Sequence, residues 1–483
     1  MDPPMGGRIM VPPHAEAMPA RRALGLRVLL VSTYELGRQP FGLASPAAWL
    51  RAAGASVSCL DLAVEALDEG AVRAAHLVAF YVPMHTATRL AARAVARVRA
   101  SNPRARLCCY GLYAPVNERY LRSLGVESIL GGEFEEGLVN LARRLAAGGN
   151  GAAARGQVDP TVSLAKLRFL VPDRTGLVPL TRYAQVHMPD GSRRTVGYTE
   201  ASRGCRHLCR HCPIVPVYNG QFRIVQREVV LEDIRRQAAA GADHITFGDP
   251  DFFNGPGHAL AIVRELHEEF PDLTYDVTIK VEHLLEHAEQ LPLLRDTGCL
   301  FVTSAVESVD DRVLALLEKG HTRADFVEVV RRFRTVGLTL NPTFVPFTPW
   351  TSLEGYRDLL ALLSELDLIE HVAPIQLGIR LLIPEGSRLL ELPETRAAVQ
   401  AFDPVALCYP WRHPDPRMDQ LCDRVLCVVK EGDPRGHTRG ETFTRIWLAA
   451  SEAAHERTCG PPARPLTTRP RASIPHLTEP WYC

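Results

Sequence analysis

Two long stretches of the chain alternate short apolar runs with segments of helical periodicity. The first stretch, residues 26–147, begins with the run Val28–Val31 and ends with the run Ser128–Leu130 followed by a helical pattern. Strands that alternate with helices at this spacing predict a parallel sheet with helices on both faces. We therefore expect residues 25–147 to form a doubly wound, Rossmann-like α/β domain.

The second stretch runs from Tyr198 to about Leu390 and has a longer period. A capping signal at Thr322 and Asp325 starts its clearest helix, which Gly337 ends. With a first strand over Val196–Ser202, the pattern predicts a partial (β/α)6 barrel over residues 196–390. The other predicted strands are Ile245–Phe247, Tyr275–Thr278, Leu300–Thr303, Leu338–Leu340 and Ile375–Leu377.

The rest of the chain is predicted to be a disordered leader (1–24), a linker (148–195), a small C-terminal region (391–459) and a proline-rich tail (460–483). The 55 basic side chains balance the 55 acidic ones, so no net field favours nucleic acid or anionic lipid as a partner. No run reaches the roughly 20 apolar residues that span a bilayer. These features predict a cytoplasmic protein.

Three of the 12 cysteines lie within eight residues: Cys205, Cys209 and Cys212. They follow the first predicted barrel strand, which puts them at the barrel face where such folds carry their active sites. Thiolates are soft ligands suited to iron. Two alternatives remain: a structural zinc site completed by His207 or His211, and three unrelated buried cysteines.

The spacing Cys-x3-Cys-x2-Cys resembles the signature of the radical SAM superfamily, and the resemblance extends over residues 196–390. It implies a 4Fe-4S cluster held by the three cysteines, with one iron open to S-adenosylmethionine (SAM). Cleavage of SAM would give a 5′-deoxyadenosyl radical, with flavodoxin or ferredoxin as the electron donor. His211 departs from the pattern, because the superfamily usually has an aromatic, hydrophobic residue there.

The same resemblance implies residues that contact SAM. The turn from Gly248 would accept hydrogen bonds from its ammonium group, with Asp249 as first choice and Asp251 in reserve; the alternative is an ordinary Asp-Pro turn. Glu307 and Ser308 resemble the segment that contacts the ribose, although Glu307 could instead be a solvated acid at a helix start. Arg380 could pair with the methionine carboxylate or with a structural acid.

The N-terminal domain resembles the cobalamin-binding domains that precede many radical SAM barrels. Gly131–Glu135 looks like a Gly-Glu segment common there, and glycines 37, 42 and 111 would let backbone approach a flat macrocycle. The Asp-x-His-x-x-Gly loop that supplies a histidine to cobalt is missing, so cobalamin would bind without that ligand. His85 is a possible contact. The alternative is a domain that only packs against the barrel.

The segment Leu477–Cys483 resembles the tail of radical SAM proteins that end in Cys-Cys-Ala-Glu-Pro or Cys-selenocysteine-Ala-Glu-Pro. That resemblance predicts that the chain continues beyond Cys483, which would belong to a redox pair.

Taken together, the residues predict a radical SAM enzyme acting on an unknown small molecule or peptide. With cobalamin, methyl transfer is the expected reaction; without it, a radical rearrangement or carbon–sulfur or carbon–selenium bond formation. A non-catalytic iron–sulfur protein that carries electrons or acts as a sensor is the alternative of another class.

Overall fold

A computed structural model describes residues 24–148, 160–432, 435–454 and 474–478. The predicted leader up to residue 23, most of the proline-rich tail and Cys483 lie outside these ranges.

The N-terminal half contains a six-stranded parallel sheet in the order β2-β1-β3-β4-β5-β6. The strand order reverses between β1 and β3, which is where doubly wound sheets open a crevice at their C-terminal edge. The strands are β1 (Arg27–Ser32), β2 (Ser56–Asp61), β3 (Leu77–Tyr81), β4 (Arg106–Tyr110), β5 (Ser128–Gly132) and β6 (Val162–Ser163).

Helices cover both faces of this sheet. In one hydrophobic core the sheet packs against helices α2, α3, α4 and α5. In another it packs against α1 and α6. Because both faces are covered, the central strand β3 is buried at every residue. The doubly wound prediction is confirmed, with helices α1 (Phe41–Ala52), α2 (Glu69–Ala74), α3 (His85–Ser101), α4 (Tyr113–Val116), α5 (Glu118–Ser123) and α6 (Glu135–Ala146).

The second sheet has the order β14-β13-β12-β11-β8-β7-β15. Its five neighbouring strands β14, β13, β12, β11 and β8 are parallel. A separate antiparallel pair, β9 with β10, follows β8. The strands are β7 (Gln185–His187), β8 (Arg193–Thr199), β9 (Ser202–Gly204), β10 (Phe222–Ile224), β11 (His244–Phe247), β12 (Thr274–Thr278), β13 (Cys299–Glu307), β14 (Thr339–Phe344) and β15 (His476–Leu477).

Most of the helices between these strands, α8 to α11, α13 and α14, bury one side in a single large core, whereas Val313 of α12 belongs to a smaller one. The start and end predicted for α13 are confirmed: Thr322 and Asp325 form a capping box, and Gly337 has a φ of 77°. The helices are α7 (Val215–Tyr218), α8 (Arg227–Ala239), α9 (Pro256–Glu269), α10 (Val281–Glu286), α11 (Leu291–Asp296), α12 (Asp311–Leu316), α13 (Arg323–Val336) and α14 (Leu353–Glu365).

Two predicted barrel strands differ from the structure. Ile375–Leu377 lies in a 3-10 helix, Pro374–Leu377, because Pro374 starts a helical turn there. A single bridge between Phe347 and Arg380 takes the place of the sixth strand. The first strand ends at Thr199, and Ser202–Gly204 pairs instead with β10.

The segments predicted as linker and tail carry β6, β7 and β15, so they add edges to both sheets. The C-terminal helices α15 (Pro393–Ala398), α16 (Pro416–Gly432) and α17 (Arg439–Ala453) follow the barrel. Apolar residues of α16 and α17 join the barrel core. Within the described ranges, every helix is too short or too polar to cross a lipid bilayer.

Candidate active site

The loop between β9 and α7 carries the three cysteines. Cys209 is buried, Cys205 and Cys212 are half-buried, and all three thiols are free. Gly204 begins the loop at a φ of 76°, where an added Cβ would lie 2.5 Å from the carbonyl oxygen of Gln221. Glycine is therefore required at this position.

The side chain of Asn254 fixes the start of the loop. Its Nδ2 donates to the carbonyl of Gly204 at 3.2 Å, and its Oδ1 accepts from the amide of Arg206 at 3.1 Å. Asn254 follows β11, so the next barrel strand holds the cysteine loop in place.

The donor set fits an iron–sulfur cluster better than a closed zinc site. Three thiols on one loop suit a four-iron cluster with one open iron. The two histidines that could complete a zinc site have other partners: His211 contacts Glu307, and His207 contacts His283. Burial raises the pKa of Cys205 to about 11 and that of Cys212 to about 12, so binding a metal would release thiol protons.

Asp249 is buried and holds the turn between β8 and β9, just before the cysteine loop. Its Oδ2 accepts from the amide of Ala201 at 2.9 Å, and its Oδ1 accepts from the hydroxyl of Ser202 at 2.6 Å. Burial raises the pKa of this carboxyl to about 7. Gly248, just before it, lies against Tyr198, whose hydroxyl would be 1.8 Å from an added Cβ. The contact of Asp249 with SAM stays a prediction, since both of its oxygens have protein partners.

Glu307 ends β13 with a φ of 69°, in the left-handed region that non-glycine residues rarely adopt. Its Oε1 lies 3.1 Å from His211 Nε2 and 3.6 Å from Lys319 Nζ. Burial opposes ionisation, but Lys319 and His211 hold the pKa of Glu307 at about 2. The carboxylate is therefore ionised beside the cysteine loop, and its contact with the ribose of SAM stays a prediction. Ser308 accepts from the amide of Asp310 at 3.1 Å.

Arg380 has the structural partner that the sequence left open. Its guanidinium donates to Asp419 at 2.7 Å and to the carbonyl of Trp411 at 2.6 Å, and it stacks over the Trp411 ring. His85 is likewise engaged, with Nε2 2.6 Å from the carbonyl of Ala406.

Sequence reasoning missed a buried ion cluster around Arg203. Its guanidinium contacts Glu133 just after β5, Glu135 at the start of α6 and Glu200 from its own segment, at 2.7 to 3.2 Å. The two glutamates lie in or at the end of the segment Gly131–Glu135, some 70 residues before Arg203, and no local signal in the sequence pairs them with it. Arg203 precedes Cys205 by two residues, so the cluster ties the cysteine loop to the first sheet.

A cavity of about 170 Å³ lies between the first sheet and the cysteine loop. Pro83, Leu112 and Gly132, at the C-terminal ends of β3, β4 and β5, line one side. Residues of the loop and barrel line the other, namely Ser202, Gly204, Ile214, Gly248 and Pro250.

Comparisons with known proteins agree with this geometry. Residues 199–360 match the model of the radical SAM superfamily. The chain is 24% identical over 313 residues to the tRNA-2-methylthio-N(6)-dimethylallyladenosine synthase of Chloroflexus aurantiacus, covering 59% of this chain and 61% of that relative. The match therefore spans less than two thirds of the relative's length.

Two solved structures share the fold. The radical SAM methyltransferase TsrM from Kitasatospora setae, with cobalamin and an iron–sulfur cluster bound, superposes with a TM-score of 0.55 at 20% identity, covering 71% of this chain and 70% of that chain. The cobalamin-dependent SAM radical enzyme OxsB, with aqua-cobalamin bound, has a TM-score of 0.64 at 14% identity, covering 85% and 68%. Residues 199–360 of the chain therefore form a radical SAM domain.

Proposed function

We propose that this protein is a radical SAM enzyme that holds cobalamin at the C-terminal edge of the first sheet and transfers a methyl group to its substrate. One observation carries the proposal: the cavity is bounded on one side by the ends of β3, β4 and β5 and on the other by the cysteine loop. Cobalamin at the edge of the sheet and SAM beside the cysteine loop would therefore face the same cavity.

The residues around the cavity have distinct roles in this proposal. Cys205, Cys209 and Cys212 would hold a 4Fe-4S cluster, which supplies the electron that cleaves SAM. Glu307, kept ionised by Lys319, would accept hydrogen bonds from the ribose hydroxyls. The Arg203 ion cluster would keep the sheet edge and the loop at a fixed separation.

The walls of the cavity suit one face of a corrin ring. Phe41 and Phe134 supply aromatic surface, and Gly132 leaves backbone exposed. The enclosed volume is too small to surround a whole macrocycle. The ring of Tyr81 also lies against Gly42 and Gly111, the glycines expected to face cobalamin. Cobalamin would therefore lie along the cavity rather than inside it.

The test uses the full-length protein incubated with hydroxocobalamin and passed over a gel-filtration column. We expect about one corrinoid per chain with a base-off spectrum, because the histidine loop is missing. Leu112→Trp fills the cavity wall and should reduce retention, whereas Leu90→Trp on the exposed side of α3 should not. Loss of all corrinoid from the unmodified protein would overturn the proposal.

Carbon–sulfur bond formation is the second candidate. The Chloroflexus relative is named for methylthio transfer, and Tyr81 already occupies part of the expected cobalamin surface. A full-length protein that retains no corrinoid but cleaves SAM would favour this reaction. In either case we propose flavodoxin or ferredoxin as electron donor, with a small molecule or peptide as substrate.

A further inference from the structure

A second group of metal-binding side chains lies beside the cysteine loop. His207, between Cys205 and Cys209, faces Asp251 and His283, and one ligand atom from each lies within 4.8 Å of the others. His207 Nε2 is 3.6 Å from Asp251 Oδ2 and 3.3 Å from His283 Nε2. Ligand atoms around a tetrahedral zinc ion lie about 3.4 Å apart, so the two distances from His207 Nε2 are close to that spacing.

Two atoms of this group are buried without a hydrogen-bond partner. Asp251 and His283 are each 1% exposed. Asp251 Oδ2 and His283 Nδ1 lie 2.7 Å apart, yet their orientation leaves both without a hydrogen bond. An unsatisfied buried carboxylate oxygen carries a large desolvation cost. A cation bound by this carboxylate oxygen together with His207 Nε2 and His283 Nε2 would remove that cost for Asp251.

We propose that His207, Asp251 and His283 form a site for one divalent transition-metal ion, separate from the three cysteines. Two imidazoles and a carboxylate are a donor set that binds zinc or ferrous iron. Three protein ligands leave a coordination position open, so the ion takes water or an oxygen or nitrogen donor of a ligand. This site is independent of the proposed methyl transfer.

The surroundings provide the supporting contacts that such a site needs. The other oxygen of Asp251 accepts from the amide of Phe253 at 3.2 Å, which orients the carboxylate. On the far side of the His207 ring, Nδ1 lies 3.0 Å from Lys280 Nζ and 3.6 Å from Glu282 Oε2. Metal at Nε2 would place the ring proton on Nδ1, so the Lys280 ammonium, which only donates, would have to turn from Nδ1 toward Glu282, its partner at 2.8 Å. The Nδ1 proton could then be donated to Glu282, as in carboxylate–histidine–metal arrangements.

The experiment separates this site from the iron–sulfur cluster. The full-length triple variant Cys205→Ala, Cys209→Ala, Cys212→Ala is incubated with zinc ion alone, desalted and measured by elemental analysis. We expect one zinc per chain. Adding Asp251→Asn or His283→Gln to this variant should weaken zinc binding at least tenfold. His287→Gln serves as the matched control, because His287 packs next to His283 but is outside the ligand group.

The proposal is overturned if the triple variant binds no zinc. It is also overturned if zinc binding is unchanged by both Asp251→Asn and His283→Gln. If circular dichroism shows that the triple variant does not fold, the cluster-loaded protein replaces it. In the cluster-loaded protein, Asp251→Asn should keep the cluster iron and lose the zinc. Equal zinc content in the cluster-loaded unmodified protein and in Asp251→Asn would overturn the proposal.

Discussion

Arg203 and Glu135 join the two halves of the molecule through a buried, two-pronged ion pair. Nη1 donates to Oε2 at 3.0 Å and Nη2 donates to Oε1 at 2.8 Å. Arg203 lies two residues before Cys205, and Glu135 begins the last helix of the first sheet. The position of the cysteine loop therefore depends on a contact with the other domain.

Replacing Arg203 with methionine should destabilise the protein strongly. Glu133, Glu135 and Glu200 would remain buried without their cation, and breaking a buried pair in this way costs about 3–5 kcal/mol. Thermal unfolding should begin several degrees lower, and iron content should fall because the loop is displaced. Arg235→Met, which removes an exposed pair with Glu269, should change the midpoint little. Equal thermal unfolding midpoints for Arg203→Met and Arg235→Met would contradict the stabilising role of the buried Arg203 ion cluster.

Single replacements of Cys205, Cys209 or Cys212 by alanine should abolish cluster binding. Each removes a thiolate ligand that the other two cannot replace. Anaerobic reconstitution of the unmodified protein should give about four irons per chain, and each variant should lack the cluster absorbance and SAM cleavage. Cys427→Ala, at an exposed cysteine, is the control and should keep both. SAM cleavage by a variant lacking all three cysteines would contradict the radical SAM mechanism.

Glu307→Gln should weaken SAM binding while leaving the cluster iron in place. The substitution keeps the size of the side chain but removes the charge held by Lys319 and His211. Hydrogen bonds to a charged group contribute about 1.5–3 kcal/mol, so the Kd for SAM should rise roughly tenfold or more. Calorimetric titration of the cluster-loaded protein measures this, with the surface variant Glu289→Gln as control. An unchanged Kd would show that Glu307 is outside the SAM pocket.

Asp249 should make protein stability depend on pH. Its carboxyl pKa is raised from 3.8 to about 7 by burial, so the folded protein holds a proton that the unfolded chain has released. The stabilisation that this proton brings is complete below about pH 4 and is lost as pH rises to about 7. The thermal unfolding midpoint of the unmodified protein minus that of Asp249→Asn should therefore decrease as the pH is raised from 5 to 8. A relative midpoint that rises with pH would mean that Asp249 is ionised in the fold.

The sequence alone determined the elements that depend on local pattern. Strands β1 to β5 of the first sheet, the capped helix α13 and the three-cysteine loop follow from apolar periodicity, capping residues and ligand spacing, all of which act over a few neighbouring residues. The prediction of the sixth barrel strand was wrong. Ile375–Leu377 has a strand-like composition, but Pro374 and the packing of α16 favour a 3-10 turn.

Tertiary structure decided which charged side chains meet. Arg203 pairs with Glu133 and Glu135 across some 70 residues of sequence, and Arg380 pairs with Asp419 across 39. Asp251 reaches His283 only because two barrel strands end at the same edge. Charge pairing over such distances has no local signature, since the energy of each pair depends on burial and geometry that only the folded chain creates.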